Sequence, residues 1–213
     1  MKNRIFYSCL LSTLLTLLLV FIIFPAESGA LGSNDLHTSN NKTYYIGHRG
    51  SSGSAPHNSL LAIDKAIKSG LDAVALDPRL TSDGKLVLCH DEMTGKVLKK
   101  NYYIDRTSYK KLMAVRYRKS KSFGYKDVRL TTLDEAVKKI KKYNRKNPKK
   151  KIDLYIKLSP LTETKRKYGM SDKQVAQRKM KTYREILLCL KKNKFPMNRV
   201  VFWSFGIDDL DGM

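Results

Sequence analysis

From residue 44 onward, short apolar runs alternate with longer amphipathic segments. The apolar runs have the length of buried β-strands, whereas the amphipathic segments repeat their apolar residues at helical spacing. Residues 94–130 show neither pattern clearly. Because strands alternate with helices, the chain predicts an α/β domain built on a parallel sheet. The predicted strands cover residues 44–47, 73–80, 86–90, 152–158 and 200–205, and the predicted helices cover 59–69, 132–143 and 172–193.

Polar side chains stand at the ends of the predicted strands. In chain order they are His48 and Arg49, Asp77, His90, and Lys157. The carboxyl ends of parallel strands meet on one face, and in a (β/α) barrel this face carries the active site. The predicted fold class is therefore α/β of the TIM-barrel type. The barrel is incomplete, since about five of its eight strands are present.

The N-terminal segment has the pattern of a secretory signal peptide. Lys2 and Arg4 precede an apolar run over residues 5–24, and Ser28-Gly29-Ala30 forms a small-residue cleavage site. The run is also long enough to span a bilayer, so an uncleaved signal anchor is the alternative interpretation. In both cases the positive flank stays in the cytoplasm and the rest of the chain is exported.

The predicted organisation has three parts. They are a signal peptide or signal anchor over 1–30, a polar linker over 31–43, and a domain over 44–213 that is C-terminally truncated relative to a full barrel. The exported protein is either secreted or anchored to the outer face of the cytoplasmic membrane. It keeps Cys89 and Cys189, which we expect to be two separately buried thiols.

The charge of the chain is strongly positive. Lys and Arg number 42 against 19 Asp and Glu, for a formal net charge of +23. Such a surface attracts polyanions, including phospholipid headgroups, phosphate-containing wall polymers and nucleic acid. A solvated basic surface without a specific partner is the alternative. Nucleic acid is not the expected partner, because the basic runs are not regularly interleaved with aromatic residues as base stacking would require; residues 138–151 contain a single one, Tyr143.

Taken together, several motifs resemble those of the glycerophosphodiester phosphodiesterase family over roughly residues 44–206. The family pattern contains His-Arg-Gly, Pro-Glu-Asn-Thr, Gly-x-Asp, Glu-x-Asp, Thr-x-Asp-Gly and His-Asp, followed by Leu-x-Glu, Glu-x-Lys and Ser-Phe. The corresponding residues here are His48-Arg49-Gly50, Pro56-His57-Asn58-Ser59, Gly70-Leu71-Asp72, Ala75-Leu76-Asp77, Thr81-Ser82-Asp83-Gly84, His90-Asp91, Leu133-Asp134-Glu135, Tyr155-Ile156-Lys157 and Ser204-Phe205.

The resemblance implies a role for each polar residue at the strand ends. Hydrolysis of a phosphodiester needs a positive clamp on the phosphoryl oxygens, a base and an acid. By resemblance His48 and His90 share the acid and base work, for which imidazole is suited at neutral pH. Arg49 and Lys157 hold the phosphate. The family also implies a divalent cation in an all-oxygen site, which suits Mg²⁺ or Ca²⁺.

The metal site departs from the family pattern. Histidine, alanine and tyrosine replace glutamates at His57, Ala75 and Tyr155, so that of the four acidic positions only Asp77 remains. One carboxylate is too few for a hard dication, which requires several oxygen ligands. His57 offers a nitrogen for a softer metal, or is simply a residue of a surface loop. The expected result is a cationic pocket with a degraded metal site.

Three interpretations follow from these residues. The first is an exported phosphodiesterase that acts on glycerophosphodiesters or a related anionic polymer. The second is a non-catalytic module that binds phosphate, anionic phospholipid or wall-polymer phosphate, with a membrane surface as a further partner. The third is a truncated gene fragment, because an open part-barrel would expose strand edges.

Overall fold

The computed structural model describes residues 43–118 and 128–204. The predicted signal segment, nearly all of the predicted linker and Phe205 of the predicted last strand lie outside these residues. The described strands are β1 (Ile46–His48), β2 (Ala73–Leu76), β3 (Pro78–Leu80), β4 (Leu86–Leu88), β5 (Asp153–Lys157) and β6 (Val200–Trp203). The described helices are α1 (Leu60–Lys68), α2 (Tyr109–Met113), α3 (Leu133–Lys146), α4 (Thr162–Tyr168) and α5 (Asp172–Lys192).

Within the described residues, a four-stranded parallel sheet has the order β1-β2-β5-β6. Ala75 of β2 lies opposite both His48 of β1 and Tyr155 of β5. Lys157 at the end of β5 lies opposite Trp203 of β6. Helices lie between the parallel strands along the chain, as in a (β/α) barrel, and the predicted α/β class is confirmed.

The prediction of a barrel strand over residues 86–90 is wrong. The predicted second strand breaks at Asp77, and its second part, β3, pairs antiparallel with β4 in a separate two-stranded sheet. The backbone N–H of Asp77 donates to Asn58 Oδ1 at 3.2 Å, and Pro78 has no N–H to continue the ladder. Gly84, with φ of 77°, then lets the chain turn back from β3 into β4.

The two faces of the parallel sheet are covered differently, because alternate strand residues point to opposite sides. One face packs against α1, α3 and α5 in the main core. Its strand residues include Val74, Leu76, Leu154 and Ile156. The other face carries a smaller cluster of Ala73, Ala75 and Tyr155 with Tyr44, Val201 and Trp203. Lys157 shares this second face with Tyr155, two residues earlier on β5.

Helix α3 begins with a capping box. Thr132 Oγ1 accepts the backbone N–H of Glu135 at 3.1 Å, and Glu135 Oε2 accepts the backbone N–H of Thr132 at 2.7 Å. Thr131 directly precedes this capping residue. It is buried, and its Oγ1 accepts the backbone N–H of Leu60 at 2.9 Å. Thr131 therefore joins the start of α1 to the segment before α3.

We expect Thr132→Ala to lower the free energy of unfolding by about 1 kcal/mol, because the backbone N–H of Glu135 in the first turn of α3 loses its acceptor. Urea denaturation of the two proteins measures the difference. Ser108→Ala is the matched control, since Ser108 precedes α2 and makes no side-chain capping hydrogen bond. Equal losses in the two variants would contradict the role of the capping box.

A second core forms around β4 and the segment that follows it, mostly from residues that the hydrophobic pattern does not assign. It combines α2 with the 3₁₀ turns Thr94–Lys96 and Ile104–Arg106, and it buries Val87, Cys89, Leu98, Ile104, Leu112, Val115, Tyr117 and Leu130. Helix α4 was also not predicted. The carboxylate of Glu92 accepts the backbone N–H groups of Glu163 at 2.9 Å and Thr164 at 2.6 Å. This helix start is therefore capped by a residue about 70 positions earlier.

Cys89 is a buried free thiol, and Cys189 is a half-buried one. The prediction of unpaired thiols is confirmed, although Cys189 is less buried than expected. Across residues 43–118 and 128–204, no helix is long and apolar enough to cross a membrane. The apolar run over residues 5–24 lies outside that part of the chain.

Candidate active site

Strand β1 delivers His48, followed by Arg49, to the carboxyl edge of the parallel sheet. The chain turns sharply there, since the N–H of Gly50 donates to the carbonyl of Gly47 at 3.1 Å. Gly50 has φ of 80°, and a Cβ at this position would lie 2.6 Å from the backbone of Ala62 in α1. Arg49 itself has φ of 58°, a left-handed conformation that is uncommon for residues with a side chain.

Asp77 follows β2 and is almost fully buried beside Arg49. Its Oδ2 accepts a hydrogen bond from Asn58 Nδ2 at 2.8 Å and lies 3.6 Å from Arg49 Nε. On the other side, Arg49 Nη1 lies 3.2 Å from His57 Nδ1. A guanidinium can only donate, so His57 Nδ1 accepts and carries no proton. The Arg49 guanidinium is therefore bracketed by a carboxylate and a neutral imidazole.

His48 lies in the same electrostatic neighbourhood as the other predicted site residues. Partial burial lowers the pKa of His48, the charge of Arg49 lowers it further, and Asp77 raises it. His90 and Lys157 also act to lower it. Partial burial and Arg49 likewise lower the pKa of His57. Both imidazoles are therefore mainly neutral at pH 7 in the free site, as a general base must be.

His90 reaches this edge through the β3–β4 hairpin. The backbone N–H of Cys89 donates to the carbonyl of Asp77 at 2.9 Å, which brings the end of β4 beside the end of β2. His90 Nδ1 lies 2.8 Å from Asp91 Oδ1, and Lys96 Nζ lies 3.2 Å from Asp91 Oδ2. Burial raises the pKa of Asp91, but the hydrogen bonds from His90 and Lys96 outweigh it and the pKa is lowered. Ionised Asp91 therefore orients the His90 ring.

Lys157 is buried at the end of β5, with a side chain that lies against Trp203. Its Nζ is 5.4 Å from the centroid of the indole ring, within the range of a cation–π contact. Residue Lys157 is 7% exposed. This places the charge on the second face of the sheet, at its carboxyl edge.

A cavity of about 300 Å³ opens at this edge. It is lined by Arg49, His57, Asn58, Cys89, His90, Asp91, Lys96, Val97 and Tyr117. His48 and Lys157 are not part of that lining. Burial raises the pKa of Cys89 to about 12, so its thiol is not a ready nucleophile. The Tyr117 hydroxyl donates to the carbonyl of His57 at 3.0 Å and holds the rim in place.

The four positions where the family pattern places acidic metal ligands do not form a site for a hard dication. Ala75 and Tyr155 lie opposite each other and pack in the apolar cluster of the second face. Asp77 is engaged by Asn58 and Arg49, and His57 is engaged by Arg49. In residues 43–118 and 128–204, no group of three or more His, Cys, Asp or Glu side chains is arranged to hold a metal ion. The donor set does not fit Mg²⁺ or Ca²⁺.

Arg79 binds the backbone of the segment that carries His90. Arg79 is 8% exposed, and burial lowers its pKa. Its Nε donates to the carbonyls of Cys89 at 3.2 Å and His90 at 3.1 Å, and its Nη2 donates to His90 at 2.7 Å. Its Nη1 donates to the carbonyl of Pro160 at 3.1 Å. Arg79 thus joins the segments after β4 and β5.

Of the residues predicted from sequence, Arg49, His57 and His90 line the cavity. Asp77 is buried beside Arg49, 3.6 Å from its Nε. His48 and Lys157 lie at the same carboxyl edge of the sheet, outside the cavity lining. Their catalytic roles stay predictions. Sequence reasoning assigned no role to Asn58, although it belongs to the motif Pro56-His57-Asn58-Ser59. It did not identify Lys96, Tyr117 or Arg79, whose contacts are made across the fold and leave no local signal. Asp91 does have a local signal, because it directly follows His90.

A family model described as the glycerophosphoryl diester phosphodiesterase family matches residues 48–213. Among curated proteins, glycerophosphodiester phosphodiesterase 1 of Mus musculus is 32% identical over 143 residues, which is 65% of this chain and 42% of that protein. A glycerophosphodiester phosphodiesterase of Bacillus subtilis is 36% identical over 91 residues, 43% of this chain and 29% of that protein.

Solved structures of similar proteins share the fold. A phosphodiesterase of Oleispira antarctica, in complex with the product sn-glycerol-3-phosphate, superposes with a TM-score of 0.61 at 25% identity, covering 79% of this chain and 60% of that one. A glycerophosphodiester phosphodiesterase of Thermotoga maritima has a TM-score of 0.51 at 26% identity, covering 81% and 58%. The chain thus spans less than half the length of these curated relatives and about 60% of these solved structures.

Proposed function

This chain belongs to the glycerophosphoryl diester phosphodiesterase family, and we propose that it is an exported glycerophosphodiester phosphodiesterase-like protein with a degraded metal site. The proposed substrates are glycerophosphodiesters or a related phosphodiester of a lipid or wall polymer. Export is inferred from the signal pattern of residues 1–30. The product sn-glycerol-3-phosphate bound to the Oleispira antarctica phosphodiesterase supports this substrate class.

One observation carries the proposal: two histidines and an arginine meet at the carboxyl edge of the parallel sheet. His48 ends β1 and Arg49 directly follows it, and His90 follows β4, the second strand of the hairpin. Besides partial burial, the charges of Arg49 and His90 both lower the pKa of His48, which supports their acting together at one site. This edge is where barrel enzymes of this type carry their chemistry.

The side chains support acid–base cleavage of a phosphodiester. We assign His48, whose pKa is lowered, as the general base that takes a proton from a water molecule as its oxygen bonds to phosphorus and the bond to the leaving alkoxide breaks. His90, held by ionised Asp91, then donates a proton to the leaving alkoxide. Arg49 lines the cavity and stabilises charge on the phosphoryl oxygens. Lys157 adds positive charge from the second face of the sheet.

The divalent cation of the family has no fitting set of ligands in this chain. The proposed reaction therefore contains no step through a metal ion. Asp77 is the remaining acid at the family's ligand positions, and it is already bound by Asn58 and close to Arg49. In the proposed reaction the positive side chains of Arg49 and Lys157 stabilise the negative charge on the phosphoryl oxygens instead.

The same positive and imidazole side chains support a second candidate function, a module that binds phosphate or an anionic membrane surface without hydrolysing a substrate. The loss of three carboxylates makes the pocket more attractive to anions. The net charge of +23 favours contact with phospholipid headgroups or phosphate-containing wall polymers. In this case the phosphate-binding residues are retained and hydrolysis is lost.

A hydrolysis assay on the full chain tests the proposal. Glycerophosphocholine is incubated with the folded protein in EDTA, Mg²⁺, Ca²⁺ or Mn²⁺, and released glycerol 3-phosphate is measured. We expect release in EDTA that the added metals change little. A folded protein, verified by far-UV circular dichroism, that releases no product in any condition would overturn hydrolysis and leave the binding module.

A further inference from the structure

The Arg49 guanidinium lies beside two of the positions where the family pattern places metal ligands. It lies between residues 57 and 77, which are two of the four positions where the family pattern places ligands for the cation. We propose that the Arg49 guanidinium has taken the place of the divalent cation, so that this pocket binds a phosphate dianion, such as that of a phosphomonoester, without metal. The inference deepens the proposed function, because it concerns the same site.

Asp77 and His57 hold the Arg49 guanidinium at the place where the family pattern would put the divalent cation. Asp77 Oδ2 lies 3.6 Å from Arg49 Nε and is fixed by Asn58 Nδ2 at 2.8 Å. Asn58 also accepts the backbone N–H of Asp77 at 3.2 Å, so its amide is locked at both ends. Both Arg49 and Asn58 have left-handed φ values, 58° and 57°. Such conformations cost energy for residues with a side chain and persist where the surroundings impose them.

The same geometry disfavours a metal ion. A dication beside Asp77 would be close to the positive charge of Arg49, and the repulsion is strong in a partly buried site. On the facing strands, Ala75 and Tyr155 fill with apolar atoms the place where two further carboxylates would stand. Recovering a metal site would require both more oxygen ligands and displacement of the guanidinium.

The positive side chains that line the pocket attract a dianion more strongly than a monoanion. Arg49 and Lys96 line the cavity, together with His57 and His90. Among the lining side chains, Asp91 is the carboxylate, and it is paired with His90 and Lys96. A phosphomonoester carries close to two negative charges above its second pKa of about 6, whereas a phosphodiester carries one. The second charge adds attraction to the Arg49 guanidinium and the Lys96 ammonium.

Titration calorimetry of the full chain at pH 8 tests the inference. The probes are inorganic phosphate, glycerol 3-phosphate and glycerophosphocholine, each in EDTA and then in Mg²⁺ or Ca²⁺. We expect both phosphate dianions to bind in EDTA, about tenfold more tightly than glycerophosphocholine, with affinities that the metals leave unchanged. Vesicles with phosphatidic acid distinguish a lipid-borne monoester from a soluble one, and binding of either supports the inference.

Variants at Arg49 connect the binding to the guanidinium. Arg49→Ala should weaken phosphate binding roughly 10- to 100-fold, the value of a hydrogen bond to a charged group. Arg49→Lys keeps a positive charge beside Asp77 and should show an intermediate loss of phosphate affinity. It also provides the test if the alanine variant does not fold. Arg106→Ala is the matched control, because it removes one guanidinium that pairs with Asp105 and Tyr168, outside the cavity.

The outcomes separate the inference from the proposed function. Dianion binding that requires Mg²⁺ or Ca²⁺, or that survives Arg49→Ala, would overturn the inference even if glycerophosphocholine is hydrolysed. Conversely, metal-free binding that depends on Arg49, with no hydrolysis of any diester, would support the inference and overturn hydrolysis. Absence of dianion binding by the folded chain in every arm would overturn the inference.

Discussion

Replacing His48 or His90 with alanine is expected to lower the rate of glycerophosphocholine hydrolysis by roughly 10²- to 10⁴-fold, the usual contribution of a general acid or base. The two histidines enter the site on different elements and have different environments. His48 lies beside Arg49, whose charge helps to keep its imidazole neutral. His90 is held through Nδ1 by Asp91. Either loss removes one of the two proton transfers, so each single variant should be severely impaired.

Product release measured for both variants in EDTA gives the result directly. His37→Ala is the control, since His37 belongs to the segment that the sequence predicts to be a linker, whereas His57, the other remaining histidine, lines the cavity. Far-UV circular dichroism establishes that each variant is folded. A rate within twofold of the unaltered protein in either His48→Ala or His90→Ala would remove that histidine from the mechanism.

The strand ends that carry the candidate chemistry could be predicted from sequence because they depend on local rules. A short apolar run followed by His48, Arg49 and Gly50 is a strand that ends in a tight turn, and the structure has β1 and a left-handed turn there. The parallel order follows from strands that alternate with helices, and it brings the carboxyl ends to one edge.

The hairpin was not predicted, because its cause is a contact between distant residues. The prediction extended the apolar run of residues 73–76 through Asp77, Pro78 and Arg79 to Leu80 as one long strand. The break depends on Asn58, whose amide binds Asp77 from the loop before α1, and on Pro78, which cannot donate to a ladder. The strand at residues 86–88 consequently pairs with β3 instead of joining the parallel sheet.

The replaced metal ligands were visible in sequence, whereas the arrangement around them was not. The pattern identifies His57, Ala75 and Tyr155 as departures from the family, each at a named position. It does not indicate that Arg49 turns toward Asp77 and His57, because that depends on two left-handed residues and on packing against α1. Side-chain placement at a turn is a tertiary property.

Arg79→Ala is expected to lower the free energy of unfolding by about 3 kcal/mol, because several buried carbonyls lose a charged donor at once. The guanidinium donates to the carbonyls of Cys89, His90 and Pro160, and it is 8% exposed. Water cannot readily replace it at these acceptors. Urea denaturation of the variant and of the unaltered chain measures the loss.

Arg118→Ala is the matched control, since its exposed guanidinium donates to the single carbonyl of Gly95, and a change within about 0.5 kcal/mol is expected. Arg79→Lys retains the charge with fewer donors and should recover part of the stability.

The same variants show whether Arg79 also positions His90. If it does, the lysine variant, although folded, will hydrolyse glycerophosphocholine more slowly with a shifted imidazole resonance for His90. Full stability in Arg79→Ala would mean that its hydrogen bonds are dispensable and that the segments after β4 and β5 are held together by other contacts.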